Sequence, residues 1–386
     1  MKERKKIWGT TDCYGCSLCS TVCHPNIIHI IQNKNGFYEP KVESPEKCTN
    51  CGFCYDVCAF HHDKCAMLDS EIHCWAAWSN DVEIRRMCSS GGVGYEIGRY
   101  LLGCGYKAVV CRYNITQQRA EHYIATTVDE FLESIGSKYI QSFTEDTFKK
   151  IQRKNEKYFV TGTPCQIDSF RRMIRKFRCE ENFILLDFFC HGVPSKLMWN
   201  KYIDSVRKRI GTIKSVAWRD KTYGWHDSWN MSFVGSLKNL SSRWTRHDMF
   251  YDLFLGNVCL GPQCYDSCKY KYDKSSADIR IGDLWGNEYK EIQEGVSSVI
   301  TFTEKGEEII KHCNCTLVEH TMKIVGEGQI HEPVVRSPQY ELVMQELKDP
   351  KTTIEDVYIA MIRDQKKRKI IRLLSNPIET IKRVLR

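Results

Sequence analysis

Apolar residues along this chain recur with helical spacing in some stretches and form short unbroken runs in others, and the alternation of the two defines its middle. VGYEIGRYLLGCG predicts a helix closed by Gly103 or Gly105, KAVVCRY a short strand, and FLESIGSKYIQS a helix running into a turn and strand. TFKKIQRKNEK predicts a polar-faced helix, and YFVTGTPCQIDSFRRMIRKF a strand, a tight turn and a helix. FILLDFFCHGVPS predicts a buried strand and KLMWNKYIDSVRKRI an amphipathic helix. Strands alternating with helices point to an α/β core with some parallel pairing. After residue 211 the texture becomes richer in strands, with IKSVAWRD, SWNMSFVGSL, SADIRIGDLWG and SSVITFT ahead of the helical EKGEEIIKHC; it predicts a β-rich continuation on the same core. Upstream, IIHIIQNKNGFYEP alternates apolar and polar residues around Asn35-Gly36, as a hairpin does, and residues 71–88 read as a connector.

Cysteine spacing adds chemistry to this outline. Cys13, Cys16, Cys19 and Cys23 follow a C-x2-C-x2-C-x3-C rhythm, and Cys48, Cys51, Cys54 and Cys58 repeat it. This is the bacterial ferredoxin run, in which three thiolates hold one cubane and the fourth crosses to the other. The spacing assigns Cys13, Cys16, Cys19 and Cys58 to one 4Fe–4S cluster, and Cys48, Cys51, Cys54 and Cys23 to a second. A pair of structural zinc sites is the alternative, but zinc draws two cysteines from each of two separated pairs. His24 and Ala59 stand where the run usually has Pro.

Length and charge then narrow the setting. A chain of 386 residues supports two or three domains with cores, and 21 cysteines in a chain of this size fit metal ligation in a reducing cytoplasm better than disulfides. MKERKKIWGTTDC has no apolar run, so no secretory signal is expected, and no stretch has the length to span a bilayer. The net charge of +8 resides almost wholly in residues 366–386, where eight Lys or Arg face the single acid Glu379. A neutral body argues against a nucleic-acid surface. In the tail, apolar residues from Ile370 to Leu385 alternate with the cations, and Pro377 is expected to split it into two short helices, the second capped by Asn376. That pattern suits an anionic membrane surface, at the inner face, or an acidic partner.

Two small-residue turns precede predicted helices. Gly162, Thr163, Pro164, Cys165 and Gln166 lie where a buried strand meets a helix, and free N–H groups at such a place favour an anion. Ser89, Ser90, Gly91 and Gly92 form a similar loop. Cys165 and Cys190 each follow a buried strand and so reach the same sheet edge. His191, a candidate proton handler, and Asp283, at a strand end, are the candidate catalytic residues, and Arg219, Lys221 and Trp225 offer cations and an aromatic ring for a phosphate-bearing or acidic partner.

GSKYIQS (136–142), GTPCQI (162–167), DFFCHGVPS (187–195), WRDKTYGW (218–225) and IGDLWG (281–286) occur in one order. That order resembles the coenzyme F420 hydrogenase/dehydrogenase beta-subunit family, from Cys13 to about His312. The resemblance implies a flavin domain holding FAD, with Lys138 and Tyr139 as flavin contacts and with iron–sulfur clusters delivering or removing electrons. It also implies a third cubane on Cys165, Cys190, Cys264 and Cys268. Here the family shows C-x2-C whereas this chain has CYDSC, so Cys259 is an alternative ligand to Cys264. The fold class expected is α/β (α+β): a ferredoxin-like module (1–70), a mixed α/β flavin-binding domain (82–210), a β-rich continuation (211–345) and a helical basic tail (346–386). The function it implies is electron exchange between the clusters, FAD and a deazaflavin coenzyme or another organic substrate, surface-polysaccharide pathways among the settings, with ferredoxin or reduced deazaflavin as redox partner. The alternative is a non-catalytic electron-transfer subunit.

Overall fold

Val109, Phe159, Leu185 and Ile279 are completely buried and mark the middle of the sheet on which the rest is hung. The computed structural model describes residues 4–67, 71–226, 229–265 and 267–375. Its strands, in chain order, are β1 (Ile28–Gln32), β2 (Tyr38–Val42), β3 (His73–Ser79), β4 (Lys107–Asn114), β5 (Arg119–Ala125), β6 (Ser142–Phe143) and β7 (Tyr158–Thr161). There follow β8 (Phe183–Phe188), β9 (Ile213–Asp220), β10 (Asn230–Gly235), β11 (Leu240–Arg243), β12 (Ile279–Asp283), β13 (Ser297–Thr301) and β14 (Cys315–His320). Nine strands form one mixed sheet in the order β14-β3-β13-β12-β8-β7-β4-β5-β6. The neighbours β12, β8, β7 and β4 run parallel, so their carboxyl ends open on one side. Ligands in open α/β sheets bind at such an edge.

The ferredoxin-like module carries the β1–β2 hairpin, and it shares a core with the sheet. Leu18, Val22 and Val57 pack with Val160 of β7 and with Phe170 and Met173 of the helix Pro164–Lys176. Polar contacts fasten the same seam. Ser169 Oγ accepts from the Ala59 N–H at 3.0 Å, Glu145 accepts from Ser20 and the Ile30 N–H, and Lys269 Nζ donates to the carbonyls of Ala59 and His62.

Four sequence expectations change. Residues 71–88 are no simple connector: β3 lies between β13 and β14, and Val82–Met87 is a helix. HCWAAWS is covered on both faces, so it lacks the alternation by which a half-exposed strand is recognised. In TFKKIQRKNEK the helix Glu145–Phe148 stops after one turn, because the residues beyond Ile151 supply no apolar stripe to bury. The region after 211 divides between two bodies. β12, β13 and β14 join the large sheet, whereas β9, β10 and β11 form a separate antiparallel sheet. That sheet packs Trp218, Met231 and Phe233 against Trp199 and Tyr202 of the helix Lys196–Ile210 and Phe250 of the helix Met249–Leu255. Finally, KKRKIIRLLS continues the single helix Ile354–Ser375, anchored by Ile354, Val357 and Met361, instead of forming a short helix of its own. Ile370, Ile371, Leu373 and Leu374 are exposed on it. The expected cap at Asn376, the break at Pro377 and the second short helix lie outside the described residues. Among the described residues no helix is long and apolar enough to cross a membrane.

Candidate functional site

Cys13, Cys16, Cys19 and Cys58 line one small cavity, together with Ile7, Tyr14 and Phe60. The fourth cysteine of the second run thus joins the first three of the first. Cys54 lies against Cys51 and Cys23, the complementary crossing, and Cys48 packs on the same apolar cluster. Burial pushes the thiols of Cys13, Cys16 and Cys19 up, and that of Cys58 to about 12. Thiols in such surroundings give up their protons to a metal and hold poorly as free thiolates. Among the described residues no three His, Cys, Asp or Glu side chains converge as on a single metal ion. The thiols ring cavities instead, an arrangement suited to a multi-iron group.

A second thiol-lined cavity lies beyond Tyr14, whose ring lines both. Cys165, in the first turn of the helix Pro164–Lys176, meets Cys190 from the end of β8, and Cys264 and Cys268 from the loop after the helix Met249–Leu255. Burial pushes Cys165 well up, as do the other three thiols, and it carries Cys264 to about 12. Cys259 is elsewhere: it is fully buried in the apolar core, and its carbonyl accepts from the Ser195 N–H. Gly192 explains the tightness of CHGVPS. Its φ is +149°, and a Cβ there would meet Leu260 at 2.9 Å and Cys264 at 3.2 Å. A side chain there would press on Leu260 and Cys264 and would be strained at that φ.

The second cavity opens into a third of about 650 Å³, within the range of about 300–1,000 Å³ usual for cofactor sites. Its floor is the carboxyl edge of the parallel strands: Thr161 and Gly162 after β7, Phe188 and Phe189 at β8, and Gly282 and Asp283 at β12. Ser89, Ser90 and Gly92 line it at the start of the helix Val93–Gly103, whose first turn has no side-chain cap. Gly91 does not line it. It packs on the sheet, where a Cβ would stand 2.5 Å from the Ala77 carbonyl and 2.8 Å from the Ser297 nitrogen. Gly162, Thr163 and Gln166 also line the large cavity, whereas Pro164 faces the inner thiols. The Thr163 N–H donates to Gln166 Oε1 at 3.0 Å, which fixes the turn.

Lys138 is half-buried at the cavity, with Nζ donating to the carbonyls of Ser134, Ile135 and Gly136. Burial lowers its pKa to about 8. No carboxylate pairs with it among the described residues, so an anion in the cavity would supply the missing charge. Tyr139 stacks on Trp229 at 5.8 Å and on Phe254 at 5.5 Å. Trp229 in turn stacks on Trp285, and Arg219 lies over both rings. Asp283 is engaged: it pairs with Arg219 at 3.3 Å and accepts from Trp225 Nε1 at 2.7 Å. His191 lines the cavity with Nε2 2.7 Å from Asn257 Oδ1, and burial lowers its pKa to about 4. At neutral pH it is therefore an uncharged hydrogen-bonding group. Arg219 and Trp225 are buried and Lys221 donates to the carbonyls of Arg85, Ser90 and Glu294, so this trio shapes the cavity wall and its loop instead of meeting an external partner.

Residues 74–147 match the family described as coenzyme F420 hydrogenase/dehydrogenase, beta subunit N-term, and residues 155–324 match the C terminus of that subunit. The chain belongs to this family. Residues 12–61 match a 4Fe-4S dicluster domain, which makes this an iron–sulfur member of an oxidoreductase family. The coenzyme F420 hydrogenase subunit beta of Methanococcus voltae is 26% identical over 247 residues, covering 61% of this chain and 78% of the relative. A chain of the F420-reducing [NiFe] hydrogenase complex from Methanosarcina barkeri, studied as a xenon derivative, aligns with a TM-score of 0.43 and 18% identity. That alignment covers 79% of this chain and 95% of the other. Both family segments contribute to the large cavity, since Ser89 and Lys138 come from the first and Gly162 and Asp283 from the second.

The sequence reading passed over Tyr14, His122, Trp229, Trp285 and Lys271, all lining these cavities. Tyr14 lies within the first cysteine run and Trp285 within IGDLWG, but neither was singled out, and only the fold brings the five side chains to these cavities. His122 is buried, with Nε2 donating to the Thr161 carbonyl at 2.9 Å, and burial lowers its pKa to about 4. The unfolded chain takes up a proton near pH 6.5 and the folded one near 4. This histidine's share of stability is therefore complete above about pH 6.5 and falls away towards pH 4. A denaturant midpoint measured at pH 7 and pH 5 should drop more in the native protein than in His122→Gln, by about 2 kcal/mol in this single contribution. Equal drops in the two proteins would show that His122 does not titrate as its burial requires.

Proposed function

We propose that this protein is an iron–sulfur flavoprotein oxidoreductase, with the dicluster module as the electron port and the 650 Å³ cavity as the FAD site. One observation carries the reading: the first thiol cavity, the inner four-thiol cavity and the large cavity are consecutive, joined by Tyr14 and then by Cys190 and Lys271. Bound cubanes supply single-electron transfer and a bound flavin supplies two-electron storage and hydride exchange with an organic partner.

The chain's own residues divide the remaining work. Cys13, Cys16, Cys19 and Cys58, then Cys48, Cys51, Cys54 and Cys23, are the proposed ligands of the two outer cubanes. Cys165, Cys190, Cys264 and Cys268 are those of the inner one. Ser89, Ser90 and Gly92 present an uncapped helix start to a phosphate-bearing cofactor, and Gly162, Thr163 and Gln166 hold a second helix start beside it. Lys138 balances the anionic charge of a dinucleotide or of a reduced flavin. Tyr139 and the Trp229–Trp285 wall exclude water and offer a stacking face. His191, neutral and donating from Nε2 to Asn257 Oδ1, keeps Nδ1 as the nitrogen that would take up or pass a proton. Asp283 keeps Arg219 and Trp225 in position.

Lys138→Met tests the cofactor assignment. It keeps the stem and removes the charge, so flavin should bind about tenfold more weakly, equivalent to about 1.4 kcal/mol. Equilibrium dialysis of the anaerobic protein measures this. Unchanged retention would remove Lys138 from the site. Turnover of reduced deazaflavin or reduced ferredoxin by the purified chain distinguishes an enzyme from an electron-transfer subunit, because only the enzyme passes electrons to an organic acceptor unaided.

A further inference from the structure

Lys271 is 6% exposed and lines both the inner four-thiol cavity and the large one. Its ammonium donates to the carbonyls of Cys190 at 2.7 Å and His191 at 3.0 Å. No carboxylate lies within ion-pair distance of it among the described residues. The neighbouring buried cations are different: Arg280 is paired with Asp187, Arg171 with Asp278 and Arg219 with Asp283. Two carbonyl dipoles satisfy hydrogen bonds but do not cancel a charge, and a buried charge is stable only when an opposite one stands near it. The groups around Nζ that can become anionic are Cys190, Cys264 and whatever the two cavities hold.

We propose that Lys271 is the fixed countercharge between the inner thiolate group and the cofactor cavity, a positioning residue that raises the reduction potential of the group it faces. Reduction adds negative charge, and a cation held in a dry site by two backbone carbonyls favours the reduced state without reorganising. The inference rests on the reading of the four thiols as cubane ligands. No electron passes through Lys271 itself.

The test is a redox titration of the anaerobic holoprotein, followed by the electron paramagnetic resonance of the clusters, on Lys271→Met, Lys271→Gln and Lys271→Arg. Lys274→Met serves as control, since Lys274 is exposed and pairs with Asp273. The Met variant should lower the equilibrium constant for reducing the inner cluster tenfold or more, about 59 mV for a one-electron couple. The outer clusters should be unmoved. The Gln variant retains N–H donors for the two carbonyls without the charge, so it should show the same fall, and it stands in if the Met variant loses iron. The Arg variant should stay within threefold of the native protein. An unchanged potential in a Gln or Met variant that keeps its iron would overturn the proposal. Failure of the underlying reading looks different, because the native protein would then hold about eight irons instead of about twelve.

Discussion

Replacing Cys165, Cys190, Cys264 or Cys268 singly by Ser is expected to remove about four irons per chain and to leave about eight in the outer module. Cys259→Ser should keep the full complement. The four residues ring one cavity from three separate segments, and burial together with the charges of Cys190, Cys264 and Cys268 pushes the Cys165 thiol up. Loss of any one leaves an inner cubane with three protein ligands at a site already strained by burial. Cys259 lies in the core among Trp199, Phe254 and Tyr265 instead, so its replacement puts a hydroxyl among apolar groups and costs about 1–3 kcal/mol of stability without touching iron. Iron analysis and a denaturant melt on the same samples separate the two effects. Iron lost from Cys259→Ser, with none lost from Cys264→Ser, would transfer the ligand upstream.

Arg280→Met is expected to be the most destabilising single change around the site, by about 3–5 kcal/mol. Arg280 and Asp187 are both fully buried and meet through two hydrogen bonds of 2.7 Å. Removing the cation leaves the Asp187 charge in the interior with only Ser275 as donor among the described residues. The guanidinium also donates to the carbonyls of Tyr272 and Lys274, so it shapes the segment that follows Cys268 and carries Lys271. The inner cubane should therefore become labile in Arg280→Met even where the chain still folds. The double variant Asp187→Leu with Arg280→Met should recover much of the loss, because an apolar pair in place of a buried ion pair is close to neutral. A urea melt in which the single variant falls by less than about 1 kcal/mol would show that solvent reaches this pair.

Much of the site was legible because local chemistry dictates it. Two cysteine runs announce a 4Fe-4S dicluster domain by their spacing, as the match over residues 12–61 bears out, and Gly162 to Gln166 announce a strand–turn–helix by their conformational preferences. The parallel strands β7 and β8 were legible as unbroken apolar runs. β3 was not, although it is equally buried, because HCWAAWS has no period to read and residues 71–88 passed for a connector. The separate sheet of β9, β10 and β11 was illegible for another reason. The strands β9 and β10 were visible and the short β11 was not, and which sheet a strand joins depends on contacts distant in sequence, such as Ile279 of β12 with Leu186 of β8. The choice between Cys259 and Cys264 has the same origin. The two lie close in sequence, and only the turn Pro262–Cys264 directs one to the cavity and leaves the other in the core. Lys271 and His122 matter by burial alone, which no single residue reveals.

The claim that three cubanes feed one flavin is tested most directly by counting electrons. Anaerobic protein, reconstituted with iron, sulfide and FAD, is titrated with dithionite while cluster and flavin absorption are followed. The account predicts about five electrons per chain, one for each of three cubanes and two for the flavin. It also predicts that Cys165→Ser lowers the uptake to about four while the flavin remains bound. Uptake of about two electrons, with no flavin retained after desalting, would contradict it and leave only the outer dicluster module.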